Sequence, residues 1–365
     1  MKLGSSLSDV VQRVDRQSRD SRDFIAHSRH IRLDFDHDRN PSLVLDDGGG
    51  VQLFALTEHV HEQIADVLGI PGQYYRKMRI DNPELMATNV NSWLGRSDQR
   101  RLVRTVQRPI SDGGHQVRAL LSDRYRPLDN ANLLEAVLPT LHERNVKVIS
   151  SELTQRRLYI KALNERLTGE VKVGQTVMAG ISISNSEIGV GAVEVRGLVY
   201  TLSCTNGAIM EDVSLRRHHV GKRHGGNGGD EIQHLLSDET RKADDRSFYL
   251  RLRDVTRAAL DEAVFRQQLG KLRAAAGNAI PAENIPAMVD VTAKRFNLTE
   301  TEGAGILAHL LRGGEFNQWG LSSAITRHSQ DIEDYDRATD LERIGGHVIE
   351  LQGGAWSSFA TPSTN

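Results

Sequence analysis

The chain is short of several things. Its 365 residues include one cysteine, Cys204. An internal disulfide is excluded, and a reducing, cytoplasmic compartment is expected. No stretch approaches the roughly 18 consecutive apolar residues of a membrane-spanning helix, so no membrane partner is expected. The N-terminus, Met1-Lys2-Leu3-Gly4-Ser5-Ser6, lacks the apolar centre of a secretion signal. Neither sign of charge prevails: 46 basic side chains face 48 acidic ones, for a net charge of −2. Polynucleotide binders often carry a positive excess, although local rather than net charge decides contact. No internal repeat is visible.

What is present is enough apolar matter for a core. Hydrophobic residues make up 38% and charged residues 26%, which suits two globular domains or one large domain with extensions. Residues 1–24, rich in Ser, Arg and Asp, read as a mobile arm. Ile31, Leu33 and Phe35, then Leu43 and Leu45, then Val51, Leu53 and Ala55 read as strands around a glycine turn at 48–50. Three short helices follow, opened by Thr57, Pro71 and Pro83. Strands are expected at 101–107 and 116–122, a helix at 129–145, and strands near 146–151 and 156–162.

The clearest pattern is a long hairpin over 176–204. Val177, Ala179, Ile181 and Ile183 alternate with Met178, Gly180, Ser182 and Ser184. Val193, Val195, Val199 and Thr201 alternate with Glu194, Arg196, Leu198 and Tyr200. Period-two alternation implies one buried and one exposed face. Beyond a glycine-rich linker at 221–230 the pattern turns helical, with helices expected over 240–276, 284–296, 300–312 and 319–345. The fold class is therefore α+β: a largely antiparallel sheet with helices on one face, followed by a mainly helical C-terminal region. The boundaries are a core domain at 25–220, a helical region at 231–352 and a disordered tail at 353–365.

Several motifs recur along this frame. They are Phe54-Ala55-Leu56-Thr57, Leu68-Gly69-Ile70-Pro71, Leu121 to Asp129, Asn185-Ser186-Glu187-Ile188-Gly189, Cys204-Thr205-Asn206-Gly207 and Gly320 to Thr326. Together they resemble the phage/plasmid-like family known as domain of unknown function 932, over about residues 50–350. The resemblance implies a mobile-element context and a shared fold, and assigns no reaction. Ser323 stands where the family pattern would place an Asn before Ala324. Asn185, Ser186, Gly189, Cys204, Asn206 and Gly207 are the family-motif residues, expected to be structural, with Cys204 a small buried residue at a strand end.

Three basic groups suggest nucleic acid. Arg157, Tyr159 and Lys161 share one face of a strand, where cations meet phosphates and a ring stacks on a base. Arg104, Arg118 and Arg124 cluster if the 101–122 hairpin forms, and arginine offers a planar fork for phosphate. The acid-free run Leu215 to His224 holds Arg216, Arg217, Lys222 and Arg223 beside the glycines, as a clamp on a polyanion would. Each group also has a plainer explanation in a solvated face or in salt bridges to the many acids.

Other chemistry finds little support. His218, His219 and His224, like His59 and His61, lack zinc-ligand spacing, so no metal and no cofactor are expected. Asp331, Glu333, Asp334 and Asp336 read as a solvated acidic face rather than a magnesium site. Neither a phosphate-binding loop nor a nucleophile elbow is present. The expected function is binding of single-stranded DNA without catalysis, in the manner of single-strand annealing recombinases, with homo-oligomers as the working form. The rivals are a metal-assisted nuclease or hydrolase, and a protein-interaction module acting against host defence.

Overall fold

The structure is a computed structural model that describes residues 1–46, 51–107, 114–217 and 238–360. The strands in these residues form two sheets. The first contains β1 (Ser21–His27), β2 (Ile31–Phe35), β3 (Pro41–Asp46), β4 (Val51–Leu56), β5 (Arg100–Gln107) and β6 (His115–Ser122), in the order β1-β5-β6-β4-β3-β2. Its pairings are antiparallel except that of β4 with β6. Helices α2 (Glu58–Leu68), α3 (Gly72–Asp81) and α4 (Pro83–Arg96) cover one face. There Val60, Ile64, Met86 and Val90 pack on Ile31, Leu43, Phe54 and Val103.

The second sheet runs β11 (Asn206–Arg217), β10 (Val193–Thr201), β9 (Thr176–Asn185), β8 (Leu158–Glu170), β7 (Lys147–Leu153), all antiparallel. The apolar half of the period-two pattern packs as its spacing requires. Ile160, Ile181, Ile183 and Val195 meet α1 (Leu7–Asp20), α5 (Asn130–Glu143) and α6 (Asp238–Ala259). Farther along the same face, α7 (Glu262–Gly277) covers Val177, Ala179 and Val199. The chain then builds a helical region from α8 (Ile285–Phe296), α9 (Glu300–Gly313), α10 (Gln318–His328), α11 (Tyr335–Glu350) and α12 (Gly354–Ala360), around Ile306, Leu310, Leu321, Ile325 and Leu341. The class is α+β, with a strand-rich N-terminal part and a helical C-terminal part.

The polar half of the alternation behaves differently. Helix α11 lies on it and carries Tyr335, Thr339, Glu342 and Arg343 at helical spacing toward the sheet. The Lys161 ammonium sits 2.6 Å from the Glu342 carboxylate, with both side chains fully buried. It also donates to Thr339 Oγ1 at 3.0 Å and lies 4.6 Å from the centre of the Tyr335 ring. Tyr159 stacks at a tilt on Tyr335, their centroids 5.3 Å apart. Burial pushes the Lys161 ammonium down, and the neighbouring Glu342 charge opposes it without prevailing. Such a pair is costly to desolvate and still more costly to break, so it pins the docking of α11.

Four other expectations change. The first 24 residues are an integral part of the fold: Ser6 caps α1, Val10 and Val14 enter the core one turn apart, and β1 pairs along β5. Three valines, Val10, Val11 and Val14, among Ser, Arg and Asp make a stripe too narrow to stand out in composition. The helix expected over 240–276 breaks at Leu260-Asp261, where the Asp261 side chain accepts the Ala263 amide and starts α7. The helix expected over 319–345 is two helices, α10 and α11, with Asp334 capping the second. Gly354–Ala360 forms α12, which buries Trp356 and Phe359 where a disordered tail was expected. The glycine turn at 48–50 and the linker at 221–230 lie outside the described residues.

Candidate metal centre

Of the cations expected to meet phosphate, Arg104, Arg118, Arg157 and Lys161 are engaged within the fold. Arg104 is buried: its Nε contacts the Asp23 carboxylate at 3.1 Å, Nη2 reaches Asp129 at 2.8 Å, and Nη1 donates to the Glu187 carbonyl at 2.9 Å. Arg118 pairs with Glu187 at 2.8 Å. Arg157 donates to the Val190 carbonyl at 3.0 Å. Tyr159 and Lys161 are buried under α11. Alternation marks the two faces of a strand but not whether the polar one meets water. Arg124 is exposed, on the turn after β6. Arg216 and Arg217 end β11, while Lys222 and Arg223 lie outside the described residues.

The first motif, Asn185 to Gly189, is the junction of the two sheets rather than an exposed hairpin tip. Asn185 donates to the Leu128 carbonyl and to Asn130 Oδ1. The Ser186 hydroxyl accepts the Val190 amide at 3.2 Å. Glu187 accepts from Gln17, Arg118 and the Asn130 amide at 2.7, 2.8 and 2.7 Å. Burial pushes its carboxyl up, but Arg118, the Asn130 amide and Arg104 together hold it below the usual carboxylate range. Gly189 has φ +82°, and a Cβ there would stand 2.7 Å from Leu121. That position needs glycine.

The second and last motifs meet each other. Asn206 donates to the Ser323 carbonyl at 3.0 Å and to Thr326 Oγ1 at 2.7 Å, fixing the turn before β11 against α10. Cys204 is exposed beside this contact, not buried as expected, because the strand ends before it and the turn carries it outward. A cleft of about 440 Å³ opens here, lined among others by Cys204, Thr205, His309, Arg312, Ser323 and Arg327.

Immediately next to the cleft stands a grouping not anticipated from the sequence. A capping box, Thr299 with Glu302, starts α9 and directs His309 toward the end of α10. Helix α10 stops at His328, and the Asp331 amide bonds back to the His328 carbonyl at 3.0 Å. This turn returns the Asp331 carboxylate to the histidines. His309 Nε2 lies 2.6 Å from Asp331 Oδ2, and His328 Nδ1 lies 3.5 Å from the same oxygen. One ligand atom from each residue falls within 4.8 Å of the others. His328 is only 7% exposed, yet among the described residues neither ring nitrogen has a hydrogen-bond partner. Burial pushes the Asp331 carboxyl up, but His309, His328 and Arg327 hold it below the usual range.

Room for the His328 ring comes from Gly305, one turn before His309. A Cβ at Gly305 would stand 2.3 Å from that ring. A second grouping, Glu211, His347 and Glu350, also brings ligand atoms together. There Glu211 is paired with Arg196 and its amide with the Glu350 carboxylate, so those groups are already engaged. The sequence signal for the first grouping is faint. His328 and Asp331 are three apart, and His309 lies 19 positions upstream.

Comparisons with known proteins find no match. No family model fits the chain, and neither a curated protein nor a solved structure resembles it.

Proposed function

We propose that the protein is a divalent-metal-dependent enzyme of hydrolytic type, with His309, His328 and Asp331 as the metal ligands. The supporting observation is His328: a buried imidazole with two unpartnered nitrogens, facing a second imidazole and a carboxylate. Burying a polar group without a hydrogen bond costs free energy, and a metal ion would satisfy one of the two His328 nitrogens. Two histidines and one carboxylate suit zinc or ferrous iron, and three protein ligands leave a coordination position open. In hydrolysis the ion would polarise an oxygen or acidify water. The residues then divide the work: the 2.6 Å contact holds His309 and Asp331 together in the metal-free protein and would give way to the ion, Gly305 admits the His328 ring, and the cleft beside His309 receives the substrate.

Calorimetric titration of zinc into chelator-stripped protein tests this reading. One ion per chain is expected, with binding lost in His328→Ala and a chelator abolishing hydrolytic turnover. Absence of binding, or undiminished binding by His328→Ala, overturns it.

Nucleic-acid binding keeps one support, the acid-free run from Leu215 to His224. Oligonucleotide affinity that falls steeply with salt would favour it.

A further inference from the structure

The cleft beside the histidines has a composition of its own. Arg312 and Arg327 both line it and both are exposed. Among the described residues neither is within ion-pair distance of a carboxylate; the Arg327 guanidinium bonds the Gln330 side-chain oxygen and acts on Asp331 only at longer range. This contrasts with Arg104, Arg118, Arg126, Arg196 and Arg343, each held by at least one acid. The acid in the lining, Glu315, is already engaged by Lys172 and the Gln175 amide. The wall is therefore cationic, with hydroxyls from Thr205 and Ser323 as further donors. Two motifs, the turn at Cys204 to Gly207 and the start of α10, build this wall from opposite sides.

We propose that the cleft is a phosphate subsite, and that its ligand is a small phosphate ester whose phosphate is held between Arg312 and Arg327. Guanidinium forks match phosphate oxygens in pairs. A volume of about 440 Å³ exceeds a phosphate and leaves room for an organic group of nucleotide size. The proposal deepens the metal-dependent hydrolase reading and names its substrate class. In that reaction the bond from phosphorus to the ester oxygen breaks and a bond from phosphorus to the water oxygen forms. One water proton goes to the departing alcohol, and the other stays with the phosphate product.

Cys204 supplies a reporter, because it is the one thiol in the chain and lines the same cleft. The experiment follows alkylation of the metal-free protein by N-ethylmaleimide, read by mass spectrometry. Inorganic phosphate and phenyl phosphate are compared with sodium chloride and acetate at matched ionic strength. Phosphate and its ester are expected to slow alkylation several-fold. Chloride and acetate should not, and the Arg312→Gln/Arg327→Gln double variant should lose the protection. No protection, equal protection by acetate, or protection that survives the double variant overturns the proposal. Phosphate protection without zinc binding would leave the subsite standing and remove the metal reading; zinc binding without protection would do the reverse.

Discussion

At Gly305 a single missing methylene decides whether two imidazoles can approach. Alanine favours a helix interior over glycine by about 0.5–1 kcal/mol, so Gly305→Ala gains on backbone grounds. Its Cβ would nevertheless press on the His328 ring from 2.3 Å and turn the ring away from His309. Zinc affinity is expected to fall by at least ~10-fold, the scale seen when groups that orient ligands are altered, while crowding of the buried ring offsets the helix gain and leaves the metal-free protein melting at or below the parent. Zinc calorimetry and a thermal scan check the two halves. Retained affinity would mean that the ring is not held by this contact. The residue scale also explains the largest departure from the sequence reading. Tyr159 and Lys161 form a polar face with the right side chains for phosphate, yet Tyr335, Thr339 and Glu342 supply the partners that water would otherwise have been.

Among the elements, α9 and α11 are clamped by Arg337, whose guanidinium makes contacts of 2.6 and 2.7 Å with the Glu302 carboxylate. The hydrogen bond from Arg337, with help from Thr299, holds the Glu302 carboxyl down to about 2 against a reference of 4.5. A carboxyl lowered in the fold stabilises fully above its unfolded value and loses that contribution as pH falls through the folded one. Stability is therefore expected to decline between pH 4.5 and 2, and Glu302→Gln should flatten that slope while leaving an oxygen for the capping box. Urea titrations across this range are the measurement, and an unchanged slope in the variant would assign the acid sensitivity elsewhere. The breaks between elements matter as much as the clamps. His328 and Asp331 stand three positions apart, a spacing that makes neighbours on a helix or a helical turn, and the interruption at 329–334 sets where α10 ends and α11 begins.

On the scale of the whole molecule, the Glu187 junction joins the six-stranded and five-stranded sheets. Its carboxylate takes partners from α1, β6 and α5, so one side chain ties elements from both halves. Glu187→Ala would leave Arg118 buried beside an empty place, which costs about 3–5 kcal/mol. The urea midpoint is expected to drop accordingly, and the transitions followed by circular dichroism and tryptophan fluorescence should separate as the sheets lose cooperation. Coincident transitions at the parental midpoint would show that the sheets are joined by other contacts. The motif that suggested a family is, in this light, a structural joint.

The strands from β2 to β6, the hairpin of β9 and β10, and the starts of α8 and α9 follow from local rules, whereas α1, β1, β11 and the breaks within 240–276 and 319–345 are not legible in line. Alternation, caps and turn residues act within a few positions and can be read in line. What only the tertiary structure decided is where the polar side chains meet. Arg104 and Asp23 lie 81 positions apart, Lys161 and Glu342 lie 181 apart, and His309 finds Asp331 across the break between two helices. Charge and donor chemistry are properties of the residue, but burial and partnership belong to the packing of distant segments. Spacing along the chain therefore left the cations looking free and the proposed metal ligands unrelated.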